Sequence, residues 1–527
     1  MATSRLVVTG AGAAGLFAAA GLFARLMNYD MRRDEQLYVS PAALLDGQRL
    51  YHDFFYNHVP GSAWLFHATY EAFGGGGLLF SARLTMFFVW LAFAAAAAYF
   101  TWRLSRSALA AAAAVVFLVA NDFLLGAVGA LATNNFLPLP FAFAGLCLFA
   151  LGLRGESVFG RTAPRTGARP LTIFAAGVCF AVALSMKVSA IAFVAPVAVA
   201  AFLLPGQVPL ANRLKTVMLP FALGGVAGAA PVIAEFLRAP DIFLAHVTQY
   251  HTGPHVAYYE IRSGGDESVV MTTGAKAMLA LKIWFTGVNL LLALAALLGV
   301  ATFGAGKALR RGVPALAIAV AASVAVFGFA PTPSFPQYFA PLSAALIFIF
   351  AVTYQPGAPG GRSRQTWALA AIAALSFLIG APRLIQHAPK LAAPGQWTVA
   401  RVEASGKAIA AEMARAGVEG KVLTLMPVYP LEGGLEVYPE FATGQFVYRT
   451  GDLTEPALLA KYRTTAPSQI AAFLENNPPA AMLLGFEPEL EAPMVKFAEA
   501  KGYRRVGRLS VKDRYGDGYL LVRPTNP

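Results

Sequence analysis

The feature that most constrains the fold of this chain is a series of long apolar runs separated by short polar joints. The runs lie at residues 6–27, 78–100, 108–129, 136–153, 171–186, 188–205, 217–237, 277–302, 313–330, 337–354 and 366–381. A helix needs about 20 mostly apolar residues to cross the hydrocarbon core of a bilayer. The pattern therefore predicts an all-α polytopic membrane domain with about 11 transmembrane helices.

The charge content supports this prediction. Only 13% of the 527 residues are charged, against about 25% in soluble domains. The net charge of +13 could indicate a protein that binds nucleic acid. However, the basic residues lie in separate joints and form no continuous stripe. We predict no nucleic-acid partner and interpret the basic joints as topology signals that contact membrane lipids. Cys147 and Cys179 lie inside apolar runs, which favours buried thiols over a disulfide or a metal site.

The basic residues are concentrated in every second joint. This set of joints holds Arg5, Arg103, Arg106, Arg154, Arg161, Arg165, Arg169, Arg213, Lys215, Lys307, Arg310, Arg311, Arg362 and Arg364. The other set holds Asp30, Asp34, Glu35, Asp46, Asp53, Glu71, Asp241, Glu260, Asp266 and Glu267. The positive-inside rule then places the N-terminus in the cytoplasm. It places residues 28–77, residues 238–276 and everything after about 382 outside, as in a multi-pass protein of the cell (inner) membrane.

The first run contains a motif that suggests a different fold. Gly10, Gly12 and Gly15 have the GxGxxG spacing of a dinucleotide-binding loop, and Asp30 lies downstream. Such a loop needs a helix with a polar face and a second strand after it, and this sequence offers neither. We interpret the run as an uncleaved first transmembrane helix whose small residues allow close helix packing.

The chain changes character after the Pro/Gly-rich stretch at 391–396. The segment "QWTVARVEASGKAIAAEMARAG" is typical of an amphipathic helix. The segments "KVLTLMP", "AAMLLGF" and "GYLLVRP" are typical of strands, and "PELEAPMVKFAEAKGY" is typical of a helix. We predict two domains: a transmembrane domain at residues 1–390 and a small α/β soluble domain at residues 391–527, outside the cytoplasm.

The joint after the first run is a polar loop of about fifty residues, which is long for a connector. Its pieces "EQLYVSPAALLDGQ" and "PGSAWLFHATYEAF" have helical spacing and aromatic anchors, which predicts two outer interfacial helices. Asp34 and Glu35 lie at the start of the first piece. The residues alone leave two interpretations open: a solvated acidic cluster at a helix N-terminus, or part of a functional site.

Several motifs follow one another in a suggestive order. After the first span come "DE", a Tyr three positions on, and "DGQRLYHDFFYNHVPG". Later come "AFGGGGLLFSARL" with Arg83, "VCFAVALSMKVSAIAFVAP" with Lys187, and "SFPQYFAPLSAALI" with Tyr338 and Pro341. This order resembles the GT-C superfamily of membrane glycosyltransferases. In particular, it resembles the branch that contains dolichyl-phosphate-mannose protein mannosyltransferases and bacterial aminoarabinose transferases.

The resemblance implies a set of site residues. Asp34 is implied to be the catalytic base, with Glu35 as its supporting partner. Lys187 is implied to contact the donor phosphate, and Arg83 is a second candidate for that contact. A lysine that snorkels from a hairpin tip and an arginine that anchors at the interface are the alternatives. The other expected substrate-binding residues of the resemblance are Tyr51, Asp53, Asn57, His58 and Tyr338.

The loop at 238–276 contributes further candidates. His251 and His255 have the spacing of a metal pair, but Gly253 and Pro254 between them prevent the helix that would align two ligands. We predict no metal site here. We expect His255 and Tyr259 to contact an acceptor or a lipid headgroup, with plain interfacial anchoring as the alternative.

The sequence departs from the family pattern at two points. Members often carry a second Asp, followed by Pro, at the start of the fourth span, where this chain has Asn134 and Asn135. The carboxylate pair that would hold a divalent cation is therefore incomplete, and a role for Mg²⁺ or Mn²⁺ stays open. The Lys-Pro-Pro of the first loop is "NHVPG" here, so that Asn57 or His58 replaces a cation.

The function that the resemblance implies is sugar transfer from a polyprenyl-phosphate donor to an acceptor hydroxyl at the outer face of the membrane, with inversion. The sugar is a hexose or a pentose, and the acceptor is a lipid, a glycan or a protein. The alternatives are a transporter or flippase, and a polymerase or ligase, for lipid-linked sugars. A transporter would be expected to have ionisable residues near the bilayer midplane and paired broken helices, and the charges here lie mainly at the ends of the runs.

Overall fold

The structure is a computed structural model that describes residues 2–157, 167–262, 269–310, 312–355, 364–507 and 509–524, with side chains from residue 12 onward. The topology residues Arg161, Arg165, Asp266, Glu267, Arg311 and Arg362, and the side chain of Arg5, lie outside this description. The chain is mainly helical, with a small C-terminal sheet.

The longer helices follow the predicted runs closely. They are α1 (Ala2–Asn28), α2 (Arg33–Leu44), α3 (Gly61–Phe73), α4 (Leu78–Ser105), α5 (Ala108–Val119), α6 (Pro138–Leu153), α7 (Pro170–Met186), α8 (Ile191–Leu203), α9 (Leu210–Arg238), α10 (Pro254–Ile261), α11 (Thr273–Trp284), α12 (Gly287–Phe303), α13 (Gly312–Phe327), α14 (Pro341–Thr353), α15 (Arg364–Ile385), α16 (Thr398–Arg415) and α17 (Pro488–Ala500). Shorter helical turns include Leu124–Val128, Val188–Ala190, Pro240–Leu244, Tyr250–Thr252, Pro336–Phe339, Val428–Glu432 and Gln445–Tyr448.

Four helical segments are long and apolar enough to cross a membrane: Leu78–Ser105, Leu210–Arg238, Pro336–Thr353 and Arg364–Ala392. A fifth span results if α11 and α12, which meet at 77°, are counted as one. Six further apolar helices have 10–17 described residues. The apolar segments thus match the predicted runs in position, and the number of about 11 complete spans stays a prediction.

Two runs are broken where the sequence predicts continuous helices. In the run at 108–129, α5 ends at Val119 and a separate helical turn follows at Leu124–Val128. At the break, the Asn121 side chain accepts a hydrogen bond from the Leu124 amide at 3.0 Å. The run at 277–302 bends between Trp284 and Gly287. Asn121 Nδ2 also donates to Asn289 Oδ1 at 2.8 Å, which ties one break to the other.

The glycine-containing first run is a helix, so the prediction against a dinucleotide loop is consistent with the structure. The predicted close packing at Gly12 and Gly15 is wrong, since a Cβ atom at either position would meet nothing within 4 Å. The tight approach is at Gly21, where a Cβ atom would lie 3.1 Å from the carbonyl oxygen of Leu384 in α15.

Both predicted helices of the first polar loop are present as α2 and α3. Helix α2 was predicted to lie on the membrane surface. In the structure it is instead enclosed by protein, since nearly all of its residues from Glu35 to Leu44 are buried. The protein encloses this helix: α3 and α4 pack on it from the bundle, and the helical turn Val428–Glu432 packs on it from the C-terminal region.

The C-terminal region folds as predicted into helices around a small sheet. Its strands are β1 (Val422–Leu423), β2 (Ala481–Leu484), β3 (Arg504–Arg505), β4 (Val511–Asp513) and β5 (Gly516–Val522). The order is β1-β2-β5-β3, with β4 also paired to β5. Strands β1 and β2 are parallel, and the other pairs are antiparallel, with Ala481 opposite Val522.

Polar contacts join the C-terminal region to the first polar loop and to α4. The Val428 amide donates to Gln36 Oε1 at 2.9 Å. The Glu432 carboxylate accepts from the Leu78 and Leu79 amides at 2.8 and 2.7 Å, at the N-terminus of α4. One hydrophobic core also contains residues from both regions. The predicted domain boundary between residues 390 and 391 therefore stays a prediction. The predicted linker at 391–396 does follow the end of α15 at Ile385.

Candidate functional site

Two large cavities lie at the end of the bundle that the C-terminal region covers. Cavity A has a volume of about 600 Å³ and lies between α6, α8, α13 and the segment 247–256. Cavity B has a volume of about 660 Å³ and lies between α10, α11 and the C-terminal region. The acidic pair of the first polar loop lies at the same end.

Cavity A is mainly apolar, with a polar rim. Its apolar wall includes Leu139, Phe193, Val324 and Phe327. Its polar wall consists of residues from five separate segments: Asn57, His58, Asn135, Lys187, Ser189, Thr248, His251, Thr252, His255, Thr332, Gln337 and Tyr338. A cavity of this kind suits an apolar ligand that carries one polar end.

Lys187 provides the positive charge of cavity A. The chain leaves the helical conformation at this residue, between the end of α7 and the turn Val188–Ala190. The ammonium group donates to Asn135 Oδ1 and lies 5.2 Å from the centre of the Tyr338 ring. Burial lowers the pKa of Lys187 to about 8, and the nearby Asp34 carboxylate opposes this shift. The lysine is therefore held against an amide and an aromatic face, without a bound carboxylate among the described residues.

Asp34 lies in the first turn of α2 and is partly exposed. Its carboxylate interacts electrostatically with Lys187 on the wall of cavity A and with Arg449 on the wall of cavity B. Desolvation raises the pKa of Asp34 above its usual range, and the two cations oppose this rise. Arg33, the preceding residue, also lines cavity B. Asp34 itself lines neither cavity, so its relation to them is through Arg33, Lys187 and Arg449.

Glu35 and Arg83 form a completely buried ion pair. Arg83 Nε and Nη2 donate to the two Glu35 oxygens at 2.9 and 2.8 Å, and both side chains have 0% exposure. The Ala132 amide donates to Glu35 Oε1 at 3.0 Å, and Arg83 Nη1 donates to the carbonyls of Leu26 and Tyr29. Neither residue lines either cavity. This geometry suits the supporting role implied for Glu35, and it gives Arg83 no surface on either cavity for the implied phosphate contact.

The other predicted residues of the first loop divide into two groups. Asn57 and His58 line cavity A. Tyr51 lies behind that wall, where its hydroxyl donates to the His58 carbonyl at 2.7 Å and its backbone has a φ of 68°. Asp53 lines neither cavity, and its carboxylate accepts from the Arg49 amide at 2.8 Å. The structure therefore brings Asn57 and His58 to the site but not Tyr51 or Asp53.

His58 is oriented by an aromatic stack. Its ring lies 5.0 Å from that of Tyr38, and the Tyr38 hydroxyl lies 2.6 Å from His58 Nε2. The same hydroxyl donates to Asn134 Oδ1 at 2.8 Å, so it accepts from His58, which then carries its proton on Nε2. Burial lowers the pKa of His58 well below its usual value. His58 thus supplies a neutral polar group to the wall at the position where the resemblance implies a cation.

His255, Tyr259 and Tyr338 connect the two cavities. His255 and Tyr338 line cavity A, and Tyr259 lines cavity B. The ring centres of His255 and Tyr259 are 5.2 Å apart. As predicted, the helix is interrupted between His251 and His255 at Gly253. Burial also lowers the pKa values of both histidines, which favours their neutral forms.

The described residues do not fit a dedicated site for a divalent cation. Both oxygens of Glu35 accept hydrogen bonds from Arg83, and Asn135 Oδ1 accepts from Lys187. Glu487 and Glu489 on the wall of cavity B pair with Arg33 and Arg262. The described chain contains no cluster of three or more His, Cys, Asp or Glu side chains suited to a metal. Mg²⁺ and Mn²⁺ are hard cations that require several oxygen ligands. We therefore assign no reaction step to a metal.

Arg449 is a site residue that the sequence does not predict. It lies in the C-terminal region, just after the turn Gln445–Tyr448, and lines cavity B beside Tyr258 and Tyr259. The surrounding "GQFVYRTGDL" contains no motif or periodicity that distinguishes this arginine from others on the surface. Its proximity to Asp34 results from tertiary packing across more than 400 positions of the sequence.

The fold is similar to that of ArnT from Cupriavidus metallidurans. The chain matches the apo crystal structure of ArnT with a TM-score of 0.63 and 15% identity over 100% of both chains. It matches ArnT bound to undecaprenyl phosphate with a TM-score of 0.60 and 16% identity, over 100% of this chain and 99% of ArnT. A more distant likeness, with a TM-score of 0.46 and 11% identity over 96% and 74% of the chains, is to the Archaeoglobus fulgidus oligosaccharyltransferase AglB in complex with an inhibitory peptide and a dolichol-phosphate.

No protein-family model matches the chain, and no curated protein sequence matches it significantly. The similarity to ArnT, an aminoarabinose transferase of the GT-C superfamily, confirms the predicted resemblance at the level of the fold.

Proposed function

We propose that this protein is a membrane glycosyltransferase that moves a sugar from a polyprenyl-phosphate donor to an acceptor hydroxyl, with inversion at the anomeric carbon. The observation that carries the proposal is the apolar cavity A with Lys187 on its polar rim. The Asp34 carboxylate interacts electrostatically with this lysine and with Arg449 of cavity B. The ArnT fold, in a crystal structure that binds undecaprenyl phosphate, supports the same function.

Cavity A is the proposed donor site. Its apolar wall suits the first isoprene units of the lipid, and Lys187 is placed to meet the phosphate as a point charge. The Tyr338 ring under the ammonium group and the Asn135 amide fix the direction of the lysine side chain. Asn57, His58 and His255 offer neutral polar groups to the sugar or the phosphate.

Asp34 is the proposed general base. It removes the proton of the acceptor hydroxyl while the acceptor oxygen attacks the anomeric carbon. The bond from that carbon to the phosphate oxygen breaks, and the phosphate leaves with the electron pair next to Lys187. Proton transfer by a positioned side chain contributes about 10²–10⁴-fold to a rate. A carboxylate with a raised pKa is a better base than an ordinary aspartate, because it binds the proton more tightly.

Cavity B is the proposed acceptor site. It opens beside Arg33, the residue that precedes Asp34, and beside Tyr259 and Arg449. Its polar wall accommodates a hydroxyl-bearing group from a lipid, a glycan or a protein. The sugar is a hexose or a pentose.

The proposed location is the outer face of the cell (inner) membrane. The first polar loop and the C-terminal region, both placed outside by the charge pattern, contact each other through Gln36 and Val428. This contact supports the predicted topology, with a cytoplasmic N-terminus and a C-terminal region in the periplasm or outside the cell.

The test is transfer of a labelled sugar by the purified protein in lipid nanodiscs. Wild type should transfer label from a polyprenyl-phosphate sugar to an acceptor extract of the cell envelope, and Asp34→Asn should reduce the rate by at least about 10²-fold. Asp46→Asn is the matched control, because Asp46 is exposed at the end of the same helix. Full activity of a folded D34N protein would disprove the assignment of the base.

The same preparation distinguishes the alternatives. A transporter or flippase would move the intact lipid-linked sugar between leaflets without forming a new glycosidic bond. A polymerase or ligase would release products with several sugar units or a transferred glycan chain. We expect products that carry a single added sugar, which mass spectrometry of the product identifies.

A further inference from the structure

The wall of cavity A carries a single formal charge among its described residues. Its lining contains Lys187 but no arginine and no carboxylate within the described chain, and Asp34, the proposed base, does not line it. The phosphate that joins a sugar to a polyprenyl chain carries one negative charge, which this ammonium group would compensate. A second charge on the ligand would meet no opposite charge on the described wall, which is costly in a mainly apolar cavity.

Two histidines of this wall present hydrogen-bond acceptors. His251 Nε2 lies 2.8 Å from the Asn57 carbonyl oxygen, which can only accept, so His251 carries its proton on Nε2. His58 also carries its proton on Nε2, which donates to the Tyr38 hydroxyl. Nδ1 of each neutral ring is therefore an acceptor. Neither Nδ1 atom is buried, and neither has a hydrogen-bond partner in the described chain.

Two further polar atoms of the wall have no hydrogen-bond partner among the described residues. They are Oδ1 of Asn57, whose side chain is 3% exposed, and the buried Nδ1 of His255. The ring centre of His251 lies 5.3 Å from that of His58 and 5.5 Å from that of His255. We call these four residues the imidazole row: Asn57, His58, His251 and His255. Because an unsatisfied buried polar atom is costly, the row favours a ligand that supplies hydrogen-bond donors.

The imidazole row is held on the same wall as Lys187 by two neighbouring asparagines. Lys187 donates to Asn135 Oδ1. The Tyr38 hydroxyl, which accepts from His58, donates to Asn134 Oδ1 at 2.8 Å. In a polyprenyl-phosphate sugar the sugar is bonded directly to the phosphate. A phosphate that contacts Lys187 therefore brings its sugar to this polar wall.

We propose that the imidazole row recognises the hydroxyl groups of a neutral sugar, so that the donor sugar carries neither an amino group nor a carboxylate. The inference rests on the proposed function, because it names the class of sugar for the proposed donor site. Hydroxyl groups donate to the imidazole nitrogens and to the carboxamide oxygen. An ammonium group would meet Lys187 without a carboxylate partner, and a carboxylate would meet imidazole lone pairs without a second cation. The sugar would thus differ from that of ArnT, an aminoarabinose transferase.

The experiment measures the binding of synthetic donors to the full-length protein in nanodiscs at pH 7, by displacement of a fluorescent polyprenyl phosphate. The donors are decaprenyl phosphate alone and decaprenyl phosphate that carries a common neutral hexose or pentose, the amino counterpart of each sugar, or the uronic acid of each hexose. We expect the tightest binder to carry a neutral sugar. Its affinity should exceed those of its charged counterparts and of decaprenyl phosphate alone by at least about 10-fold, as expected for one or two additional hydrogen bonds.

Variants of one histidine test the role of the row. His251→Phe keeps an aromatic ring and removes its hydrogen-bonding atoms. It should weaken the best neutral donor about 10-fold and leave the affinity for decaprenyl phosphate alone unchanged. His251→Asp should shift the preference toward the amino counterpart, because it adds a carboxylate. His67→Phe is the matched control and should change no affinity. His67 also has one hydrogen bond to a carbonyl, that of Ala42 at 2.8 Å, but it lines neither cavity.

Three results would overturn the inference: a charged sugar as the tightest binder of wild type, neutral donors that bind no better than decaprenyl phosphate alone, or equal effects of H251F and H67F. A loss of decaprenyl phosphate binding in H251F as large as its loss of sugar binding would place this histidine at the phosphate and would also overturn it. If wild type bound none of the polyprenyl phosphates, the proposed donor site itself would be refuted. The two failures are therefore distinguishable.

Discussion

At the scale of single residues, Asp34 and Lys187 are the proposed base and the proposed phosphate-binding group. Lys187 has a pKa of about 8 because it is buried, so its charge is present below that pH and is lost as the pH rises through it. Donor binding should therefore weaken above about pH 8, and Lys187→Gln should raise the KM for the donor at least about 10-fold at pH 7, since hydrogen bonds to charged groups contribute about 1.5–3 kcal/mol. Lys187→Arg should restore donor binding. It should also move the loss of donor binding to higher pH, because a guanidinium stays protonated.

The control for this prediction is Lys282→Gln, which removes an exposed lysine from α11. It should change neither the KM nor its dependence on pH. Equal donor affinity of wild type and K187Q across pH 6–9, measured with a fluorescent polyprenyl phosphate, would show that the phosphate binds elsewhere.

At the scale of helices, the buried Glu35–Arg83 pair fixes α2 against α4 and the turn before α6. Removal of one partner of a buried pair leaves an uncompensated charge, at a cost of about 3–5 kcal/mol. Arg83→Met should therefore lower the free energy of unfolding by that amount, as measured by denaturation in mixed micelles. Arg238→Met, which breaks an exposed pair with Glu235 in α9, should cost at most about 1 kcal/mol. If instead R83M were stable and only raised the KM for the donor, then the phosphate contact implied by the sequence would be correct and the supporting role wrong.

At the scale of the whole molecule, polar contacts hold the C-terminal region against α2 and α4. Glu432 accepts from the first two amides of α4, which otherwise have no partner at a helix N-terminus. Glu432→Ala should leave these buried amides unsatisfied and lower the free energy of unfolding by about 1–3 kcal/mol. Glu403→Ala removes a nearby carboxylate that pairs with the exposed Lys407, and it should cost less than about 1 kcal/mol. Equal losses for the two variants would contradict the importance of this contact.

The sequence predicts the helices of this protein better than it predicts the contacts between distant segments. Apolar periodicity predicts the positions of the helices well, because it reports which segments must leave water. It does not predict the breaks at Asn121 and between α11 and α12, where contacts between distant residues, such as the hydrogen bond from Asn121 to Asn289, accompany the change of direction. The order of the sequence motifs was enough to predict Asp34 and Lys187 as candidate site residues. Arg449 and the partners of Arg83 were not, because no local pattern records contacts between distant segments.

The central claim is that the donor lies in cavity A with its anomeric carbon turned toward Asp34. The most direct measurement is a cryo-electron microscopy structure of the Asp34→Asn protein in nanodiscs with a polyprenyl-phosphate sugar. We expect the phosphate within hydrogen-bond distance of Lys187 Nζ and the anomeric carbon between residue 34 and cavity B. A phosphate bound in cavity B, or out of reach of Lys187, would contradict the account.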